Sequence, residues 1–361
     1  MTNRVKHLIQ SRVSLAPMAG ITDYVLRSLV RKYSKNCLLT TEMISSEYLA
    51  QTMNGRGEYK ATPLIINTRN ITNLVAEGKN QKNILAEGKK SGVEILKRDE
   101  NHTPISYQIS GHKPFMMRQA AEFLNQYADM IDINMGCPVK KVVGGQDGAA
   151  LMRNPQLAAD LVKAVKDGTD KPVSVKFRLG YTAEEMNYVE FGQAMQNAGA
   201  EFITIHGRTR SQMYSGKADW AKIKALKDNI DVPVFANGDI LTVEDAIKCL
   251  ELSGADGVAI GRGALGDPTL IGRIEHYLHT GEKLPVPPLE ERIGMLKFHL
   301  DEEIQLRGES VAIKFMRKFY PYYLAGFKNA KVMRSKLVLE EDYAKIIEYL
   351  EQTCSTYVQE H

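Results

Sequence analysis

Asp132-Ile133-Asn134-Met135-Gly136-Cys137-Pro138 follows directly on the apolar run Met130 to Ile133 and ends in a turn built from Gly136 and Pro138. A short apolar run closed by a Gly/Pro turn reads as a buried β-strand. The turn sets a thiol just past the strand's C-terminal end, where α/β enzymes keep their chemistry. On these residues alone Cys137 is open to three readings: a buried structural thiol, a nucleophile, or a ligand.

Working outward, seven further runs of the same kind stand along the chain: Val13–Pro17, Cys37–Met43, Ile105–Ile109, Val173–Phe177, Phe202–His206, Val232–Ala236 and Gly257–Ile260. Helical patterns separate most of them, among them Gln156–Lys166, Ala183–Ala198, Trp220–Lys227 and Val243–Leu252. Asn154-Pro155 reads as one helix start and Thr242 as another cap, while Gly199 and Gly254 follow helix ends. Eight strands alternating with helices predict parallel β/α topology, and the count favours a closed (β/α)8 barrel. An open doubly wound sheet should carry GxGxxG after its first strand. Here that position holds Pro17-Met18-Ala19-Gly20.

Two stretches break the spacing. Between Met43 and Ile105 the gap is too long for one βα unit. It contains the near-repeat Asn73–Lys79 and Asn83–Lys89, so residues 51–100 read as a surface insertion. The second break is Gly281 to Pro288 (GEKLPVPP), whose proline density marks a domain edge. Beyond it the pattern is helical to the end. The expected organisation is therefore a catalytic barrel over 1–280 and a helical domain over 281–361.

Composition narrows the classes further. Hydrophobic content of 43% and charged content of 25% suit an ordinary globular protein, and a net charge of +4 in 361 residues is mild. The four cysteines are scattered without a CxxC pair, which argues against a disulfide framework or a zinc site and for a reducing, cytoplasmic setting. No metal is expected. Neither an apolar leader nor a membrane-length apolar stretch is present, so no membrane role is expected.

The strand exits carry the chemistry. The last strand runs into Gly261-Arg262-Gly263 and the seventh into Asn237-Gly238-Asp239. Glycine turns with a cation at adjacent strand ends suit a phosphate, and in a barrel these two loops form the common phosphate site. Lys176 and Arg178 fall on one face at the end of the fifth run, where two inward cations call for an anionic partner. His206 and Arg208 end the sixth run. Gln108 ends the third, offering a donor and an acceptor to the edge of a heterocycle.

Taken in order, Ala16-Pro17-Met18-Ala19-Gly20-Ile21-Thr22-Asp23, Asn134-Met135-Gly136-Cys137-Pro138, His206-Gly207-Arg208-Thr209-Arg210, Ala236-Asn237-Gly238-Asp239 and Gly261-Arg262 resemble the tRNA-dihydrouridine synthase family, particularly its bacterial B-type branch. The resemblance covers nearly the whole chain outside the insertion. It implies an FMN-dependent barrel with a C-terminal helical domain that grips tRNA. It further implies that Pro17, Met18 and Ala19 line the flavin, that Gln108 and Lys176 meet its ring, and that His206 lies beside it. Asn237, Gly238, Asp239, Gly261 and Arg262 would hold its phosphate and ribityl end. Cys137 matches the family's catalytic cysteine, and Asn134 and Arg208 would hold the target uracil. A thiol is mostly protonated at neutral pH, which suits a general acid delivering a proton to C5 while the flavin delivers a hydride to C6. NADPH is the expected electron donor and a monomer the expected state.

A large RNA needs a basic surface near the barrel mouth. Val311 to Leu339 holds Lys314, Arg317, Lys318, Lys328, Lys331, Arg334 and Lys336 with no acidic residue, interleaved with six aromatics. Most of those aromatics are expected to pack the helical core, and the cations to meet phosphates. Lys140 and Lys141 would extend the track. Two other classes compete: a flavin barrel acting on a small pyrimidine or enone, and a non-catalytic RNA-binding barrel. Ribosomal RNA is an alternative target. The first rival leaves the basic segment without a purpose, and the second leaves Cys137 without one.

Overall fold

Eight parallel strands close into a ring in the computed structural model, which describes residues 3–52 and 96–360. In chain order they are β1 (Val13–Leu15), β2 (Leu38–Thr40), β4 (Ile105–Ser110), β5 (Met130–Met135), β6 (Val173–Arg178), β7 (Phe202–His206), β8 (Val234–Asn237) and β9 (Gly257–Ile260). Each pairs with the next in parallel, and β9 returns to β1 with Val13 opposite Val258. A two-residue strand, β3 (Ile44–Ser45), adds to the far end of β4. The near-repeat at 73–89 lies outside the described residues.

Every residue of β4, β5 and β7 is buried, because a barrel strand faces packed side chains on both sides. The two faces differ in chemistry. On β5, Ile131, Ile133 and Met135 join the layer between sheet and helices, while Asp132 and Asn134 alternate onto the interior. Opposite them stand Ser174 and Lys176 of β6, in register. Polar residues inside the ring leave hydrogen-bonding groups at its C-terminal mouth.

Local signals act where the sequence places them. Asn154 caps the helix Pro155–Asp167 through the N–H of Leu157 at 3.1 Å. Thr242 and Asp245 form a reciprocal capping box on the helix Val243–Ser253. Gly199 and Gly254 end their helices in the left-handed conformation. One helix is shorter than its pattern: it starts at Tyr188, and residues 183–187 form the loop that leads into it.

After the proline-rich stretch the chain is helical: Leu289–Arg307, Glu309–Met316, Tyr320–Tyr323, Ala330–Leu339 and Tyr343–Glu360. Their apolar residues form a second core around Leu296, Leu300, Phe319, Tyr320 and Tyr323, which also takes in Leu26, Leu29 and Leu265 from the barrel side. Truncating one such buried leucine to alanine removes about 2–5 kcal/mol. The shared core fixes the helical region against the loop after β1.

Candidate active site

A cavity of about 500 Å³ opens at the C-terminal ends of the strands. That volume is typical of a site that encloses a small molecule. Of the residues read from sequence, Pro17, Met18, Ala19, Gln108, Asn134, Cys137, Lys176, His206, Asn237, Gly238, Asp239, Gly261 and Arg262 all line it. Strand register brings them together, since Gln108, Asn134, Lys176, His206 and Asn237 each stand at or near the last rung of a different strand.

One hydrogen-bonded chain orders the side of the cavity that carries the thiol. Ser174 Oγ and Gln108 Nε2 both donate to Asp132, each at 2.6 Å. Asn134 Nδ2 donates to Gln108 Oε1 at 2.8 Å. Asn134 Oδ1 in turn accepts the backbone N–H groups of Gly136 (3.2 Å) and Cys137 (2.9 Å). Burial pushes the Asp132 carboxyl up, while the bonds from Ser174 and Gln108 work against that rise. With both lone pairs of Asn134 Oδ1 used, its remaining capacity is one N–H, so Asn134 can only donate to a ligand. Sequence reasoning quoted Asp132 but assigned it no role. Its spacing of two from Asn134 was the available signal.

The Cys137 turn is pinned on three further points. Its carbonyl accepts the N–H of Ala149 at 3.1 Å, and Arg178 Nε donates to the carbonyl of Gly136 at 2.8 Å. Gly148 has φ +60°, and a Cβ there would fall 2.8 Å from the Cys137 carbonyl oxygen, so only glycine fits without a shift. Arg178 also donates to the carbonyls of Thr209 and Met213, both at 3.0 Å. Its inward charge therefore meets carbonyl dipoles where an anion was expected. Burial lowers its pKa to about 10.

Lys176 is different. Its Nζ has Asn237 Oδ1 at 3.0 Å, and burial together with nearby Arg178 lowers its pKa to about 8. His206 is held neutral, first by burial and then by the surrounding Arg178, Lys176, Arg208 and Arg262. Its buried Nδ1 has no hydrogen-bond partner among the described residues. Gly238 (φ +120°) packs against the ring, where a Cβ would lie 3.3 Å from Nε2.

At the end of the cavity formed by the last two strand exits, the Asp239 carboxylate is shared. Arg208 grips it at 2.8 and 2.6 Å, Arg262 at 2.9 Å, and the N–H of Ala218 at 2.8 Å. These partners hold its pKa low although burial works to raise it. Asp239 can thus serve an anion only by aiming Arg262. Arg208, 1% exposed, is not part of the lining; it also donates to the carbonyls of Ser215 and Gly216. Two lining aromatics were missed as site residues: Tyr214 after β7, and Tyr322 from the helical region. Arg178 and Arg262 both lie over the Tyr214 ring.

Of the basic segment, Lys331 and Lys328 are exposed and Arg334 half-buried on or beside the helix Ala330–Leu339. Lys314 and Arg317 lean on Glu341 at 3.5 and 3.3 Å, a carboxylate just beyond the acid-free window. Lys318, at the exposed rim, reaches across to the carbonyl of Gly20. Phe319, Tyr320 and Tyr323 are buried in the helical core, with Phe315 and Phe327 packed beside it, so only Tyr322 of the six is exposed. Lys140 and Lys141 are exposed on the short helix that follows Cys137. Among the described residues no cluster of three His, Cys, Asp or Glu is set to hold a metal, and no helix is long and apolar enough to cross a membrane.

Comparison with known proteins bears on the whole chain. The family model described as Dihydrouridine synthase (Dus) matches residues 14–64 and 66–359. A protein of Synechocystis sp. named probable tRNA-dihydrouridine synthase 1 is 37% identical over 349 residues, 96% of this chain and 88% of that protein. The tRNA-dihydrouridine synthase B of Shewanella oneidensis is 38% identical over 88% of this chain and 87% of its own length. The same-named protein of Pseudomonas aeruginosa is 35% identical over 91% and 89%.

Proposed function

The chain belongs to the dihydrouridine synthase family, and from that premise we propose that it reduces the C5–C6 double bond of specific uridines in tRNA, using FMN in the barrel cavity and NADPH as electron donor. The observation that carries this reading is the hydrogen-bonded chain from Asp132 through Gln108 and Asn134 to the backbone of Cys137. It sets a thiol at the mouth of a cavity whose other walls carry cations and small residues. Residues 281–361 are the RNA-gripping domain of this proposal, and the protein acts as a cytoplasmic monomer.

The residues suit a flavin mononucleotide. Met18, Ala19 and Pro17 offer an apolar wall, and Gln108 keeps one N–H and one lone pair for a ring edge. The Nδ1 of His206 is left to meet a polar group of the cofactor. Lys176 supplies positive charge for an anionic ring edge, and Arg262, aimed by Asp239, supplies it for a phosphate beside Asn237, Gly238 and Gly261. When bound and reduced, the cofactor supplies the hydride that reaches C6.

The chain's own residues do the rest. A uracil turned out of the RNA enters the mouth, and the remaining N–H of Asn134 donates to one of its carbonyl oxygens. Cys137 Sγ delivers a proton to C5, so the former π pair ends in the new C5–H bond and the thiolate is reprotonated from solvent. Arg208 acts as the support of Asp239 rather than as a uracil contact, because it is buried outside the cavity lining with its guanidinium turned to Asp239. Lys140, Lys328, Lys331 and Arg334 meet the RNA backbone.

The deciding experiment maps dihydrouridine in RNA from cells lacking this protein. Loss at defined tRNA positions supports the proposal. Loss confined to ribosomal RNA moves the target, and an unchanged map, or purified protein that takes up no FMN, overturns it.

A further inference from the structure

The loop after β1, Met18 to Asp23, lines the cavity with Met18, Ala19 and Ile21, yet much of its support comes from the far end of the chain. Within the loop, the N–H of Met18 donates to Thr22 Oγ1 at 3.1 Å, and Asp23 caps the helix Tyr24–Tyr33 through the N–H of Leu26 at 3.0 Å. From β2's side, Glu42 accepts the N–H of Gly20. From the helical region, Lys318 Nζ donates to the carbonyl of that same Gly20 while lying 3.3 Å over the Phe315 ring.

A second strut runs through Asp23. Its Oδ2 accepts Arg307 Nη2 at 2.7 Å, across 284 positions of sequence. Arg307 Nε donates to Glu303 at 2.5 Å one helical turn back. Asp23 is 3% exposed, and Glu303 and His299 are 0%. Facing Glu303 are Asp23 from the barrel, His299 and Arg307 from its own helix, and Lys318 beyond them. Burial, then the Asp23 charge, pushes the Glu303 carboxyl up, so the pair favours one proton between its two carboxyl groups. Arg307 stands between the two, held by Glu303 on one side and Asp23 on the other. A buried cluster balanced in this way specifies one arrangement, whereas removal of either partner strands a charge.

We propose that Glu303, Arg307 and Lys318 are positioning residues for the cofactor: the helical region clamps the Met18–Asp23 loop in the shape that receives the flavin, so cofactor affinity depends on residues that never touch it. The proposal rests on the reading that FMN occupies the cavity. It gives the helical region a second task beside RNA binding.

The test uses the full-length apoprotein, with FMN affinity followed by quenching of flavin fluorescence and folding by melting temperature. Wild-type protein that binds no FMN overturns the cavity reading and this proposal with it. Given wild-type binding, Lys318→Met and Glu303→Ala are expected to weaken FMN roughly tenfold, the loss of one charged hydrogen bond each. Glu303→Gln is expected to keep wild-type affinity, because an amide still donates to Asp23 and accepts from Arg307. A cluster serving stability alone would lower the melting temperature and leave the FMN dissociation constant in place. Should Glu303→Ala fail to fold, Lys318→Met, at the exposed rim, decides by itself: unchanged FMN affinity in that folded variant overturns the proposal.

Discussion

Asn134 Oδ1 accepts the backbone N–H of Cys137 at 2.9 Å, so the residue expected to meet the substrate also holds the turn that presents the thiol. The same oxygen takes the N–H of Gly136, and the amide nitrogen closes the chain to Gln108. Replacing Asn134 by Ala releases two backbone donors and leaves Gln108 without its donor. Turnover is expected to fall roughly 100-fold, the order associated with misplacing a reacting group. FMN affinity changes much less. Single-turnover kinetics beside a flavin titration checks this, and parallel losses in both would refute the separation.

Cys137→Ala keeps the backbone bonds that shape the turn and removes only the proton source. RNA and FMN binding should be retained, with turnover down roughly 10²–10⁴-fold. Reduction of the flavin by NADPH, observed at the flavin absorbance, should proceed as in the wild type. Undiminished dihydrouridine formation would mean that the proton comes from elsewhere.

Lys176 should make FMN binding pH-dependent. Its lowered pKa, about 8 against an ordinary 10.5, means that between these values the folded apoprotein has lost a proton the unfolded chain still holds. In that window the unfolded state binds more protons, so this group's contribution to stability rises with pH. An anion bound beside Nζ restores the proton. FMN binding at pH 9 should therefore take up most of a proton and at pH 6.5 none, read calorimetrically from the buffer dependence of the heat. Lys176→Met should abolish the uptake.

Two groups of cations within the basic segment differ. Lys314 and Arg317 already face Glu341, whereas Lys331 stands exposed on its helix with Lys328 just before it and Arg334 one turn on. Charge reversal at Lys328, Lys331 and Arg334 should lower the salt dependence of RNA affinity by roughly 0.7–0.9 in log–log slope for each phosphate that is no longer neutralised. Reversing Lys314 should change it less. Equal effects from both groups would move the RNA surface toward Glu341.

Much of the barrel was legible because parallel strands buried on both faces read as short apolar runs, and β7 and β9 begin and end where their runs do. Most of the cavity lining was legible for a related reason: the groups stand at strand exits, which turn residues mark. Arg208 was not. It shares the rim in sequence, yet it turns away to Asp239, 31 positions on, and Tyr322 reaches the cavity from a helix beyond the barrel. Charge reading by window failed similarly at Glu341.

By itself the sequence determined the eight strands, several of the helices between them and the thiol in its turn. Those follow from local periodicity, caps and glycines, which act over a few residues. Only the tertiary structure decided which donors are already used: that Asn134 retains a single N–H, that Asp239 belongs to two arginines, and that Arg307 reaches back to Asp23. Ring closure and strand register set those pairings, because they bring together groups that are far apart along the chain and leave no local pattern behind.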